Sequence, residues 1–274
     1  MDRLITYGYR LFILLCFTFI FAPILALVAF AFNDNRFPSL PWKGFTLRWF
    51  SQIIRDPSIV AAALNSLLVA ICAAVIATVL GGAAAYCVTR WDFKGKSTYL
   101  GIVAAPPCIP LIILGLALLM YLKQIGLSGS LTAVTISHAV LASPFALGIV
   151  RMRLAEMDPN IEQAAWNLGA NEWSAIRTII LPQAGPAFIA AFLLSMTVSW
   201  DEFIISWFVS GFSETLPVNI WHTFSAHVSA EVNAIGTVAF VLSIALVIVA
   251  QLLFFRLGRK GRRAPVLEEG DGNA

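Results

Sequence analysis

Charge is scarce in this chain. Lys, Arg, Asp and Glu make up only 12% of its 274 residues, against about a quarter in an ordinary soluble domain. Hydrophobic residues make up 59%, and the mean hydropathy is +0.83. A soluble domain is therefore excluded, and most of the chain must lie in lipid. There is no GxxxxGK[ST] phosphate loop, so the chain is expected to bind no ATP by that device and to hold no cofactor of its own. Cys16, Cys72, Cys87 and Cys108 form neither a CxxC pair nor a metal-ligand spacing. Lying in or beside apolar runs, they read as small core hydrophobes. His138, His222 and His227 are scattered without clustered carboxylates or cysteines, which argues against a metal site and for packing or interfacial roles. The net charge of +3 comes from basic residues at loops and the C-terminal tail, so no nucleic-acid-binding face is expected. Internal repeats and low-complexity tracts are also missing.

What is present is a series of apolar runs long enough to cross a bilayer core of about 30 Å, which takes roughly 20 residues. They lie near 11–32, 60–88, 98–122, 131–152, 184–210 and 235–256. The expected fold is all-α, with six transmembrane helices. The first run exceeds the 7 to 15 apolar residues usual in a signal peptide and is expected to be retained. With the N-terminus inside, the inner side holds Arg3, Arg10, Arg90, Lys94, Lys96, Arg151, Arg153, Arg177, Arg256, Arg259, Lys260, Arg262 and Arg263. The outer side holds Arg36, Lys43, Arg48, Arg55 and Lys123. This asymmetry places both termini and the 153–182 loop in the cytoplasm. Segment 33–59 reads as an external loop with interfacial aromatics, 89–97 and 123–130 as tight turns, and the charged tail from 258 or 259 as disordered. The divisions are then 1–59, a core of five helices over 60–257, and a tail over 258–274.

One inner loop is helical and polar-faced. Asp158 can cap a helix that begins at Pro159, because proline needs no N–H partner there. Ile161, Ala164, Ala165 and Leu168 fall at i, i+3, i+4 and i+7, a narrow apolar stripe that needs something to dock against. Gly169 can supply the left-handed residue that ends the helix. Asn171 can cap a second stretch that runs until Pro182 interrupts it.

The segment IEQAAWNLGANEWSAIRTIILP closely resembles the coupling loop of ABC-importer permeases of the binding-protein-dependent (type I) family. Their pattern is Glu-Ala-Ala, three residues, Gly, nine residues, Ile-x-Leu-Pro. Ala164, Ala165, Gly169, Ile179, Leu181 and Pro182 stand at that spacing, while Gln163 occupies the acidic position with Glu162 just before it. Either the glutamine keeps a hydrogen bond without the charge, or Glu162 takes over from the neighbouring face. Leu64-Asn65-Ser66-Leu67, Ala85-Tyr86, the run Arg90 to Lys96 and Pro110 extend the agreement over about 60–255.

The resemblance implies a non-catalytic subunit of a bacterial inner-membrane importer. Its partners would be two ATPase subunits carrying ATP and Mg, a second and non-identical permease, and a periplasmic or extracellular substrate-binding protein. A homodimer stays open as an alternative to the heterodimer. Docking to the ATPase would fall to Glu162, Gln163, Ala164, Ala165, Gly169, Ile179, Leu181 and Pro182.

The fifth apolar run contains Trp200-Asp201-Glu202-Phe203. An aspartate at the centre of a transmembrane helix costs at least about 2.5 kcal/mol, so a cavity or partner is expected. On a continuous helix Ser195, Ser199, Glu202, Ser206 and Ser210 form one polar stripe, with Asp201 about 100° around. Glu202 is then the better candidate for a water-lined pathway, and Asp201 meets another helix or the second subunit. Trp200, Phe203 and Trp207 could add cation–π attraction for a cationic solute, and Ser199 and Ser206 would line the same path. The alternative is that the serines only allow close packing and one acid makes a buried hydrogen bond. The phrase SWDEFIISWF resembles the spermidine/putrescine permease subgroup, whose relatives also carry other small amines and amino-acid-like compounds. A rival of another class is an ion-coupled secondary transporter using Asp201 or Glu202. Its inverted repeats and broken helices are not visible in the sequence.

Overall fold

The computed structural model describes residues 2–226 and 230–261, and among these the regular structure is helical. In chain order come α1 (Asp2–Ala31), α2 (Arg48–Arg55), α3 (Pro57–Arg90), α4 (Lys96–Ala104), α5 (Leu111–Gln124), α6 (Leu131–Ala155), α7 (Asn160–Asn167) and α8 (Glu172–Ala175). They are followed by α9 (Leu181–Asp201), α10 (Ile204–Val209), α11 (Leu216–Ala226) and α12 (Ala230–Gly261). Among the described residues, five helical stretches are long and apolar enough to cross a membrane: Ile5–Ala31, Pro57–Arg90, Leu131–Ala155, Glu172–Asp201 and Ala230–Val249.

The third expected span is not one helix. Pro106, Pro107 and Pro110 remove backbone donors, and a residue before proline is pushed towards extended geometry. The chain accordingly forms a 3-10 turn over Pro106–Cys108 and is extended at Ile109 (φ −86°, ψ 135°). The pieces α4 and α5 would reach only about 14 and 21 Å at 1.5 Å per residue.

The centre of the fold is the packing of α3, α6 and α9. Helices in lipid gain nothing from burying apolar surface against one another, so close backbone approach must hold them, and small residues permit it. Most of the buried positions of α3 accordingly carry Ala or Gly, among them Ala70, Ala73, Ala74, Ala77, Gly81 and Gly82. A Cβ at Gly81 would lie 2.7 Å from the Leu147 nitrogen and 2.8 Å from the Ser143 oxygen, and one at Gly82 would strike the Phe188 ring. Local caps set the helix starts. Asp56 accepts the Ser58 N–H at 2.8 Å with Pro57 in the first turn of α3, and Ser130 accepts the Ala133 N–H at 3.2 Å at the head of α6.

Around this centre, α12 packs on α9, α10 packs on α5, and α1 lies outermost against α12. The 33–59 segment is not merely a loop with interfacial aromatics, and its last residues already belong to α3. It contains α2, and Trp49 is buried with its indole N–H donating to the Asn33 carbonyl at 3.0 Å. The 211–234 segment likewise contains α11. The cysteines do not sit in the core. Cys16 and Cys108 are exposed, and Cys72 and Cys87 are half-buried, because a lipid-facing surface accepts a thiol without burying it in protein. Helix α12 runs to Gly261, and the rest of the tail, like His227, lies outside the described residues.

Candidate functional site

Two regions carry polar groups that a membrane protein must account for. The first is the 153–182 loop. Asp158 caps α7 by accepting the Asn160 N–H at 2.9 Å, and Gly169 ends it with φ +86°. Asn171 then caps α8 by accepting the Ser174 N–H at 2.7 Å. Pro182 does not interrupt the second stretch as expected. The backbone widens into a π turn over Ile176–Ile180, with the Leu181 N–H bonding back to the Ile176 carbonyl, and the helix continues as α9. Pro182 falls in the first turn of α9, where its missing N–H is tolerated.

Glu162 is the most enclosed residue of α7, only 3% exposed. Its carboxylate pairs with the guanidinium Nε of Arg90 and accepts the Tyr86 hydroxyl at 3.2 Å. Both partners lie on the last turns of α3, so the loop is tied by a buried ion pair to the longest helix of the central packing. Gln163 and Ala164 face outward, Ala165 is half-buried, and Trp166, Leu168 and Trp173 are exposed, Leu168 by 89%. Ile179 is half-buried, and Leu181 and Pro182 are exposed. The tip is therefore held on its inner side by charge and presents unpartnered apolar side chains on its outer side.

The second region is a helix break. The expected continuous helix over 184–210 ends at Asp201. Glu202 is extended (φ −74°, ψ 118°), and α10 begins two residues later. Glu202 folds its side chain over the start of α10, where its two carboxylate oxygens accept the N–H groups of Ile205 and Ser206, each at 3.0 Å. A carboxylate at a helix N-terminus satisfies donors that would otherwise be orphaned. His138 of α6 approaches from the side. Its Nδ1 lies 2.8 Å from Ser199 Oγ, and its Nε2 lies 2.9 Å from Ser206 Oγ and 3.4 Å from Glu202 Oε2. Asp201 faces away into an open groove against α12 lined by Ala239, Phe240 and Ser243. Ser243 Oγ accepts the Trp200 indole N–H and lies 3.1 Å from Asp201 Oδ1.

With this geometry in view, residues 77–263 match the family described as binding-protein-dependent transport system inner membrane component. The chain belongs to that family. It is 35% identical over 243 residues to the spermidine/putrescine transport system permease protein PotC of Haemophilus influenzae, covering 88% of this chain and 94% of that one. It is 36% identical over 238 residues to PotC of Escherichia coli, covering 86% and 90%. It is also 34% identical over 234 residues to the putrescine transport system permease protein PotI of Escherichia coli, covering 82% and 83%. Among solved structures it is similar to a bacterial ABC transporter involved in the import of the acidic polysaccharide alginate. That likeness has a TM-score of 0.73 and 17% identity, over 93% of this chain and 96% of that one. The MetNI methionine ABC transporter gives a TM-score of 0.63 at 21% identity, over 80% and 100%. At these identities the solved structures establish the fold alone. This permease is thus a multi-pass inner-membrane protein with the importer-permease architecture.

In the permease, the polar stripe read from the fifth run is intact but buried. Ser195, Ser199, Glu202, Ser206 and Ser210 are all at most 7% exposed. Trp200 is buried as well, Phe203 is half-buried, and Asp201 is exposed. The structure therefore gives Glu202 a capping task inside the protein and sets Asp201 at an open groove, bonded to Ser243 of α12. Broken helices, absent from the sequence reading of the rival transporter class, occur here at two places, so their absence was no discriminator. His138 was missed as part of this cluster. Its alignment with Ser199 and Ser206 comes from α6 meeting α9, which no local spacing records. Asn65 and Ser66 gain a role too: Asn65 donates to the Glu214 carbonyl at 3.0 Å, and Ser66 Oγ accepts the Leu216 N–H at 2.7 Å, fixing the turn that follows α10.

Proposed function

We propose that this permease is one of two non-identical membrane subunits of an ATP-driven importer of small polycationic amines, with putrescine and spermidine the first candidates. The observation that carries this reading is the 34 to 36% identity, over more than four-fifths of the chain, to permeases named for spermidine and putrescine transport. The basic-residue asymmetry supports cytoplasmic termini and a cytoplasmic 153–182 loop. There the exposed α7–α8 tip, with Gln163, Ala164, Leu168 and Trp173, would seat on one of two ATPase subunits that carry ATP and Mg. Glu162 would serve as the internal anchor of that tip rather than as a contact to the ATPase.

Solute would arrive on an external binding protein and pass between the two permeases. Asp201 supports this route, because a carboxylate in an open groove of an apolar helix needs a partner, and an ammonium group supplies charge and hydrogen bonds together. Glu202 would join once the break moves. The half-buried Phe203 packs against Trp207 and Trp221 with ring centroids 5.8 and 5.7 Å away, a set of aromatic faces suited to cations. The domain divisions proposed are 1–59, the 60–257 core and the tail over 258–274.

The test is uptake by the whole complex in vesicles, with putrescine, spermidine, basic amino acids and aminophosphonates in competition. Uptake that needs ATP, is displaced by the polyamines and falls at least tenfold in Asp201→Asn is expected. Uptake that follows an ion gradient without ATP, or displacement by amino acids alone, would overturn the proposal.

A further inference from the structure

A helix of six residues is too short to hold its own direction, so α10 depends on its neighbours. It rests on α5, where Phe208 approaches Gly115, and the Val209 carbonyl accepts the Gly129 N–H at 3.1 Å. These contacts lie on one side. On the other, His138 reaches across the break and touches both of its banks: Ser199 in the last turns of α9 and Ser206 in the first turn of α10. It is 1% exposed, and no other helix supplies a side chain that bonds both banks among the described residues.

Nδ1 of His138 is bonded to the Ser199 hydroxyl and Nε2 to the Ser206 hydroxyl, with Glu202 Oε2 close to Nε2. The Ser206 hydroxyl also lies 3.2 Å from the Glu202 carbonyl. Both polar atoms of the imidazole are thus used. A buried polar group left without a partner is costly, so moving α10 away from α9 would strand Nε2 and leave His138 bonded to Ser199 alone. The joint is thereby given a definite closed position.

We propose that His138 is a positioning residue for transport: it pins the break between α9 and α10 and so keeps Glu202 turned inward as the cap of α10, out of reach of solute, until the pin is released. Its use in transport rests on the reading of the Asp201–Glu202 break as part of the solute path. The pin itself can be examined without solute.

The experiment uses the assembled transporter in nanodiscs, with Cys16, Cys72, Cys87 and Cys108 replaced by alanine and Val209→Cys as a reporter on α10. Val209 is fully buried, so its reaction with a water-soluble maleimide reports opening of the joint. Without solute or nucleotide, His138→Leu is expected to speed labelling roughly tenfold, since two buried hydrogen bonds are lost. His138→Gln should return it towards the parent rate, because one amide can accept from Ser199 and donate to Ser206. Parent-rate labelling in His138→Leu, or equal acceleration in both variants, overturns the proposal. If His138→Leu does not assemble, Ser206→Ala severs one end of the pin. Intermediate labelling then supports the proposal, and an unchanged rate overturns it. Loss or retention of uptake in Asp201→Asn, which touches neither His138 nor Ser206, bears on the solute path alone, so the two readings fail separately.

Discussion

The ion pair between Glu162 and Arg90 sets how firmly the 153–182 loop follows α3. Glu162→Gln keeps a side chain of the same shape, and its amide oxygen can still accept the Tyr86 hydroxyl, but it removes the charge facing Arg90. Both side chains are largely enclosed, at 11% and 4% exposure, so the guanidinium would be left buried without its counter-ion. Removing one member of a buried pair costs about 3 to 5 kcal/mol. Arg90 also sits in the last turn of α3, where the helix carbonyls favour a cation by about 0.3 to 1 kcal/mol. The net loss should then be about 2 to 4 kcal/mol, felt as detachment of α7 rather than as global unfolding. That corresponds to a roughly 30- to 700-fold rise in the detached population.

Hydrogen exchange of the amides over 160–170, measured on the purified transporter, reads this population directly. The Leu168, Gly169 and Ala170 amides, bonded within the loop, are the reporters. A cycle with Arg90→Met and the double variant should return a coupling energy of at least about 1.5 kcal/mol, since contacting charges in one network do not act additively. Exchange in Glu162→Gln within twofold of the parent, or a coupling energy near zero, would refute the anchoring argument.

Three further outcomes follow from other parts of the fold. Gly81→Ala places a methyl against the backbone of Leu147 and Ser143; overpacking of this kind costs about 1 to 3 kcal/mol, and the unfolding temperature in detergent should fall while Gly148→Ala, which meets nothing nearby, leaves it unchanged. Asp56→Ala removes the cap of α3 and should cost about 1 kcal/mol at neutral pH. The Ser58 hydroxyl and N–H hold the Asp56 carboxyl below its ordinary value of 3.8, so the difference between parent and variant should be full above that value and vanish as pH falls through the lower folded one, which denaturation series at several pH values would check. Leu168→Asp places a charge on the most exposed apolar side chain of the docking tip; co-purification of the ATPase should drop at least tenfold with helix content unchanged, and undiminished capture would remove this residue from the interface.

The apolar runs and the scarcity of charge settled the membrane class, because lipid leaves few other places for such a composition. The helical 153–182 loop was legible for a related reason. Its caps at Asp158 and Asn171 and its stop at Gly169 are local backbone requirements, met by residues within three or four positions. Even the polar stripe from Ser195 to Ser210 was readable as a set of positions that would share one environment.

What the chain pattern could not supply was the backbone between those positions. The prolines at 106, 107 and 110 were visible, but whether they would kink a span or divide it depended on packing. Pro182 looked like a stop, yet the π turn before it absorbs the missing bond and lets the helix run on. The break at Glu202 has no proline or glycine to mark it, since its stability comes from Glu202 capping α10 and from His138, 61 residues away from Ser199 in the chain. For the same reason the tie between Glu162 and Arg90, separated by 72 residues, was out of reach. Periodicity describes one helix at a time, and these decisions are made by side chains from two helices satisfying each other where water cannot.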